Sequence, residues 1–394
     1  MWAIELGKGI VRLFLHPLLY WTVIVFLLIG YERVKRERHH FGVKIHRYFA
    51  EGKGTFLLAL FFSIIISVIA IVFGLTLSLE AVVLLAFVTF LLSFFRPPML
   101  LSAAYTIGIT FILLFITSFV QFSFRDPFHL LQTTRTEQFI SLAIFTGLLL
   151  MVEALLIGQR GNDRSFPSLV QSKRGIWIGQ HEMRRLMLVP FFVFVPYTID
   201  SSLLPIYPIF QLGETTYSLF LIPFLIGYRY TTTTQLPRDV SRRLSNATLL
   251  LSFLVLLVAV SSIYYALLSY VAIGLAIMGK EWIMYRHRRK EERGQAIYTP
   301  LDRGIKIVAT IPDSPAERLE ILVGETVLRV NDIDVNSPSD FYEALQNSGA
   351  FVKLEIEDER GEVRFVRSAF YEEDHYKLGI IFAEHVSERM LAIR

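Results

Sequence analysis

Ser314 to Val335 reads SPAERLEILVGETVLRVNDIDV, and its punctuation is that of a small folded module. Ser314, Pro315 and Glu317 make a helix start: serine as cap, proline in the first turn, glutamate three positions on to complete a capping box. Gly324-Glu325 turns the chain into Thr326–Val330, a β-branched run, and Asn331-Asp332 supplies a turn before Val335. Working outward, Ile305–Ile311 (IKIVATI) is a β-branched strand that stops at Pro312. On the other side, Ser337-Pro338-Ser339-Asp340 starts a second helix, with Phe341, Ala344 and Leu345 at core spacing and Gly349 as its stop. Residues 352–357 and 362–366 alternate at period two about the turn Asp358–Gly361, an antiparallel pair. Leu378–Phe382 then places a glycine inside an apolar strand.

Strand, short helix, strand, helix, hairpin and strand in this order resemble a PDZ domain in the bacterial arrangement, with one strand displaced to the C-terminal end. Ser314, Pro315, Ala316, Gly324, Val330 and Asn331 match the family pattern; Leu319, Glu320, Glu325 and Asp332 depart from it. PDZ domains bind by adding a peptide strand to an exposed sheet edge, with backbone N–H groups near a glycine receiving a carboxylate. The resemblance implies a peptide site at Leu378, Gly379 and Ile380, with Ile381 and Phe382 on the docking strand and Tyr342 and Gln346 facing it from the second helix. The competing reading makes Leu378–Phe382 a core strand and no more.

Upstream, the chain changes character. Of 394 residues 53% are hydrophobic, 33 are Phe and none is Cys, which fits a polytopic membrane protein and excludes disulfides, thiolate metal sites and thiol nucleophiles. Apolar runs at 13–31, 55–75, 79–95, 99–120, 138–158, 186–204 and 216–228 are candidate spans, and Ala247–Met278 is long enough for a helical hairpin turning near Ser261-Ser262. The expectation is an α-helical bundle of about eight spans, seven to nine being compatible, over residues 1–278, then a basic stalk at 279–300 and a PDZ-like domain at 301–394. The N-terminal apolar run lacks a small-residue cleavage site and reads as retained, although Trp2–His16 also suits an interfacial helix. Residues 1–300 carry 28 Lys and Arg against 16 Asp and Glu, whereas 301–394 carry 11 against 19. Basic stretches at 32–54, 159–185, 229–246 and 286–290 put those ends, and the C-terminal domain, on the cytoplasmic side. Arg286, Arg288, Arg289 and Lys290 read as a cluster at the lipid surface and not as a nucleic-acid patch.

Catalytic signatures fail on inspection. His181-Glu182-Met183-Arg184-Arg185 puts an arginine where a zinc protease helix needs its second histidine. Gly274…Gly279-Lys280-Glu281 imitates a phosphate loop but lacks the Ser or Thr. A Ser-His-Asp protease domain has no room outside the membrane part. No metal or cofactor is expected. Glu153 and Asp200 fall in apolar segments, and the second lies among Pro190, Pro196, Pro205 and Pro208, which keeps a transporter or sensor with a regulatory PDZ domain as the alternative.

Over nearly its full length the chain resembles the MinJ family of Gram-positive rods. The resemblance rests on HPLLYW (His16–Trp21), GYERVKRER, SKRGIWIGQHEMRRLMLVPFF (Ser172–Phe192), FYEAL (Phe341–Leu345) and RFVRSAFYEEDHYKLGI (Arg364–Ile380). It implies a non-enzymatic scaffold for division-site selection at septum and poles, linking the curvature-marking protein DivIVA to the division inhibitor MinD. Which partner meets the PDZ domain, whether the ligand is a free C-terminus, and whether the chain self-associates are left open by the sequence.

Overall fold

The computed structural model describes residues 2–95, 98–119, 136–159, 165–172, 175–196, 209–212, 215–299, 301, 303–348, 351–358, 360–369 and 378–382. Asp200, Arg160, Arg164, Lys173, Arg174 and Gly349, each singled out by the sequence or lying in its basic loops, are outside them. Helix α1 (Trp2–Leu13) precedes α2 (Pro17–Phe41), whose start is capped by His16: its Nδ1 accepts the Leu18 N–H at 3.3 Å. α3 (Phe56–Val72), α4 (Leu79–Phe95), α5 (Ala103–Phe119) and α6 (Thr136–Gly158) follow. The expected hairpin is present as α7 (Pro237–Ser261) and α8 (Leu268–Arg293), turning at 262–267. α8 continues without a break through the stretch read as a stalk, to a C-cap at Gly294.

Three helices, α2, α6 and α7, are long and apolar enough to cross a membrane, and α3, α4 and α5 are shorter apolar helices. α6 is the axis of the bundle, buried nearly all round, and packs mainly on α7. α7 and α8 bury one stripe each, and α3 and α7 leave large apolar side chains such as Leu57, Leu250 and Leu257 on the outside, the arrangement expected where hydrocarbon replaces water.

Two of the expected helical spans are not helices. Residues 186–196, the described part of the first, and 216–228 lie instead in long strands, β2 (Trp177–Pro196) and β4 (Thr215–Thr232), in a four-stranded antiparallel sheet ordered β1-β2-β4-β3, where β1 is Phe166–Gln171 and β3 is Ile209–Leu212. Hydropathy reports burial and is blind to backbone conformation. The composition favours strand: LMLVPFFVFVP is β-branched and aromatic, and a mid-helix proline costs about 3 kcal/mol. Pro190 lies directly opposite Pro223, and because Phe192, two residues on, turns its N–H away from β4, this rung is a non-hydrogen-bonded one and neither proline costs a β2–β4 ladder bond. An apolar setting also demands that the outer strand edge be paired. Helix α3 supplies part of this, its Ser67 Oγ accepting the Phe192 N–H at 2.9 Å, and Leu77 N–H donates to the Phe194 carbonyl at 2.9 Å.

The C-terminal unit has its own core around Phe341, Phe382, Ile305, Val330 and Leu354. Its elements are β5 (Ile305–Thr310), α9 (Pro315–Arg318), β6 (Thr326–Val330), β7 (Ile333–Asp334), α10 (Pro338–Gln346), β8 (Phe351–Glu357), β9 (Val363–Ala369) and β10 (Ile380–Phe382), with strand order β10-β5-β6-β8-β9 and β7 on β6. The Ser337–Asp340 capping box forms. At Ser314 the expected box does not: the serine makes no cap bond, and Glu317 accepts from the Asp313 N–H at 2.6 Å. Glu320 and Asp332, two of the departures from the family pattern, carry φ of 54° and 68°, so the backbone keeps the left-handed turns that glycine would adopt there.

Candidate functional site

The residues proposed from the sequence for peptide binding lie on one strand and one helix of the C-terminal unit. β10 is an edge strand of the described sheet and pairs only with β5. The Gly379 carbonyl accepts the Ile311 N–H at 2.7 Å, and Ile380 stands opposite Thr310. This puts Ile380 at a non-hydrogen-bonded rung, so its own N–H and C=O face away from β5, toward the open edge. Those are the groups that an added strand would use.

The side chains of this strand have other duties. Leu378, Ile380 and Phe382 are buried in the core, and Phe382 meets Phe341 edge-on at 4.9 Å between ring centroids. Ile381 points the opposite way, against the rest of the protein. Gly379 has φ of 83°, and a Cβ there would collide with Ser314. Tyr342 is half-buried against the same core and Gln346 is exposed one turn further along α10. On the side away from β5 the Leu378 carbonyl already accepts the Ala316 N–H of α9 at 2.9 Å, and Ile380 is only 4% exposed, so among these residues Gln346 is the one plainly presented outward.

Ile381 belongs to a seam that the sequence did not reveal. With Ala309 it packs on Phe41, Ile45 and Leu169, which come from the end of α2, the following turn and β1. Beside this patch, the Gly179 N–H donates to the Tyr298 carbonyl at 2.9 Å, and the His181 ring lies 4.8 Å from that of Tyr298. His181 Nδ1 is 3.0 Å from Ser165 Oγ, and burial pushes the imidazole down to about 4.

A buried ionic network stiffens the surface on which the seam forms. Arg33 of α2 pairs with Glu37 at 2.9 Å and with Glu51 at 2.8 Å, and Glu51 also holds Arg184 of β2 at 2.9 Å. Glu37 accepts the backbone N–H groups of Ile45 and His46 at 2.8 and 3.1 Å. Glu182 is gripped by Arg229 of β4 at 2.7 Å and by Arg36 of α2. Breaking one member of such a buried set costs about 3–5 kcal/mol, so residues 42–55 are fixed to the helix and the sheet together. Arg33 and Arg36 fall in the basic stretch 32–54 that the sequence reads as a loop; the helix continues to Phe41 and buries Arg33 completely.

No protein-family model matches the chain. It is 32% identical to the cell division topological determinant MinJ of Bacillus subtilis strain 168, over 388 residues that cover 97% of this chain and 96% of that protein. The chain belongs to the MinJ family. Probable cell division topological determinants MinJ of Lacticaseibacillus paracasei and of Lacticaseibacillus casei strain BD-II are each 26% identical to it over 259 residues, covering 61% of this chain and 65% of theirs.

In this member of the MinJ family the polar groups inside the bundle pair with one another. Glu153 is fully buried: it pairs with Lys280 and accepts from Ser102 Oγ at 2.6 Å, and Lys280 donates to the Tyr230 hydroxyl at 3.0 Å. Lys280, dismissed in the sequence as part of a chance phosphate-loop match, is the counter-charge of Glu153. A hydrophobic scan sees both residues, but only the packing of α6 against α8 shows that they meet. Among the described residues, no group of three or more His, Asp or Glu is placed to hold a metal. Arg286, Arg288, Arg289 and Lys290 are exposed on α8.

Proposed function

We propose that this chain is a non-enzymatic membrane scaffold for division-site selection, bridging a DivIVA-like curvature-marking protein to a MinD-like ATPase at septum and poles. The correspondence with MinJ over 97% of the chain carries the reading. The C-terminal unit, read as a cytoplasmic PDZ-type domain over 301–394, takes one partner by strand addition to the open edge at Ile380, with Tyr342 and Gln346 beside the bound peptide. Residues 1–278 form the multi-pass anchor, with 279–300 as the basic connection beyond it. The commitment of Glu182 to arginines and of His181 to the seam supports a holding role over a catalytic one. The mutual neutralisation of Glu153 and Lys280 supports a structural pair over an ion path.

The test uses the full chain, tagged with a fluorescent protein, in a rod-shaped Gram-positive host lacking its own MinJ. The tagged protein is expected to concentrate at septa, to co-purify with both the DivIVA-like and MinD-like proteins, and to restore septal MinD. Uniform membrane fluorescence with neither partner recovered would overturn the scaffold reading. Gln346→Arg, which changes an exposed side chain beside β10, is expected to weaken one of the two partners and spare the other; equal recovery of both removes the β10–α10 groove from the proposal.

A further inference from the structure

α7 and α8 enclose a groove of about 970 Å³ on the outer face of the bundle. Its two ends differ in chemistry. One wall is apolar and open: Leu250, Leu254 and Trp282 are 63%, 47% and 59% exposed. The other end is ringed by cations, Arg243 from α7 with Arg286, Arg289, Lys290 and Arg293 from α8. No acidic side chain lines it. Two of the three carboxylates of α8 are bound elsewhere, Glu281 to the Tyr105 hydroxyl and Glu291 to the Thr233 and Thr234 N–H groups; the third, Glu292, lines a different cleft, although its charge is felt by Arg289. Charge is therefore sorted around the helix, with cations on the groove face.

The cations are also held in place. Arg289 Nε donates to the Tyr285 hydroxyl at 2.9 Å, and its guanidinium lies 5.4 Å over that ring. Arg243 donates to Gln235 and lies 3.4 Å from His287 Nδ1. Trp282 and Tyr285 stack at 5.9 Å where the apolar and cationic parts join, the level at which amphipathic rings settle between hydrocarbon and headgroups. From Arg243 to Leu254 the wall rises about 17 Å at 1.5 Å per residue, close to the roughly 15 Å of one hydrocarbon leaflet.

We infer that this groove is a binding site for an anionic phospholipid, with the headgroup phosphate among Arg243, Arg289, Lys290 and Arg293 and an acyl chain along Leu250, Leu254 and Trp282. Charge complementarity selects the anion, and the open apolar wall selects a lipid over a soluble phosphate. A cluster acting only through the surface potential would need neither the acid-free cleft nor the wall. The inference rests on α7 and α8 crossing a membrane and is independent of which protein binds the C-terminal unit.

The experiment compares full-length protein in detergent by native mass spectrometry, titrated with phosphatidylglycerol or with phosphatidylcholine. Retention of phosphatidylglycerol is expected to exceed that of phosphatidylcholine. The triple variant Arg289→Gln, Lys290→Gln, Arg293→Gln is expected to lose at least about tenfold in phosphatidylglycerol affinity. A control with the same charge change, Lys35→Gln, Arg242→Gln, Arg288→Gln, removes exposed cations outside the groove and is expected to stay within about twofold. Equal loss in both variants would reduce the effect to general surface charge and overturn the site. Full competition by glycerol 3-phosphate would also overturn it, because the apolar wall would then contribute nothing. Carbonate extraction of membranes from the same cells tests the membrane placement separately, whatever the lipid result.

Discussion

Gly179 of β2 gives its N–H to the carbonyl of Tyr298 at 2.9 Å, joining the long sheet to the segment that leads into the C-terminal unit. The contact is backbone to backbone and tolerates no side chain: a Cβ at Gly179 would lie 2.8 Å from Tyr298 Cβ and 3.1 Å from Val308 Cγ2. Gly179→Val is therefore expected to open the seam and leave both cores folded. Hydrogen exchange should rise at 294–310 and at 177–182 and stay unchanged in α6; unchanged exchange at 294–310 would show that the contact is not needed for docking.

The same seam should respond to pH. His181 is buried against Tyr298 and its pKa is depressed to about 4, against an ordinary value of 6.5. Between those values the undocked state takes up a proton that the docked state excludes. Docking is thus complete above pH 6.5 and weakens by up to about tenfold per unit as the pH falls toward 4. Hydrogen exchange at 294–310 followed from pH 7 to 5 measures this, after correction for the intrinsic rate. His181→Gln, which cannot charge, should flatten the profile.

Within the bundle, Lys280→Met strands the Glu153 carboxylate without its counter-charge. The expected loss is about 3–5 kcal/mol. Pairing that change with Glu153→Leu should recover most of it, because the buried charge is then gone altogether. Thermal unfolding in detergent compares the two; a double variant no more stable than the single one contradicts the pairing as the source of the loss.

Gly379→Ala combines an unfavourable φ with a collision against Ser314. A loss of about 1–3 kcal/mol is expected in the C-terminal unit, and adding Ser314→Gly should return part of it by removing the opposing Cβ. Lack of any recovery would assign the whole cost to backbone strain.

The orientation argued from the basic ends puts residue 394 in the cytoplasm. A reporter active only outside the cytoplasm, fused after Arg394, should be silent, and one fused at Tyr264, in the α7–α8 turn, should be active. The reverse pattern would invert the whole assignment.

Local chemistry was legible along the C-terminal unit. Period-two alternation gave the β8–β9 hairpin, Ser337 and Asp340 gave the start of α10, and the glycine set inside an apolar strand, Gly379, has both a positive φ and a close neighbour in Ser314. In the membrane part, apolar length gave α2, α3, α4, α5, α6 and the α7–α8 hairpin. It failed at β2 and β4, where the prolines at 190, 196 and 223 were the warning that a helix was the wrong backbone.

Sequence by itself determined the apolar stretches, the turns, the caps and the sorting of charge along the chain, because each is set by neighbours within about one helical turn or one hairpin. Only the tertiary structure decided which charges pair and which strand edges stay open. Glu153 meets Lys280 across 127 residues, and Arg184 meets Glu51 across 133. Ile380 is left at an edge because β5 takes one side of its strand and no described strand takes the other. A buried charge or an edge N–H is satisfied by whatever the fold brings against it, and that is a property of packing between distant segments, invisible to periodicity along one of them.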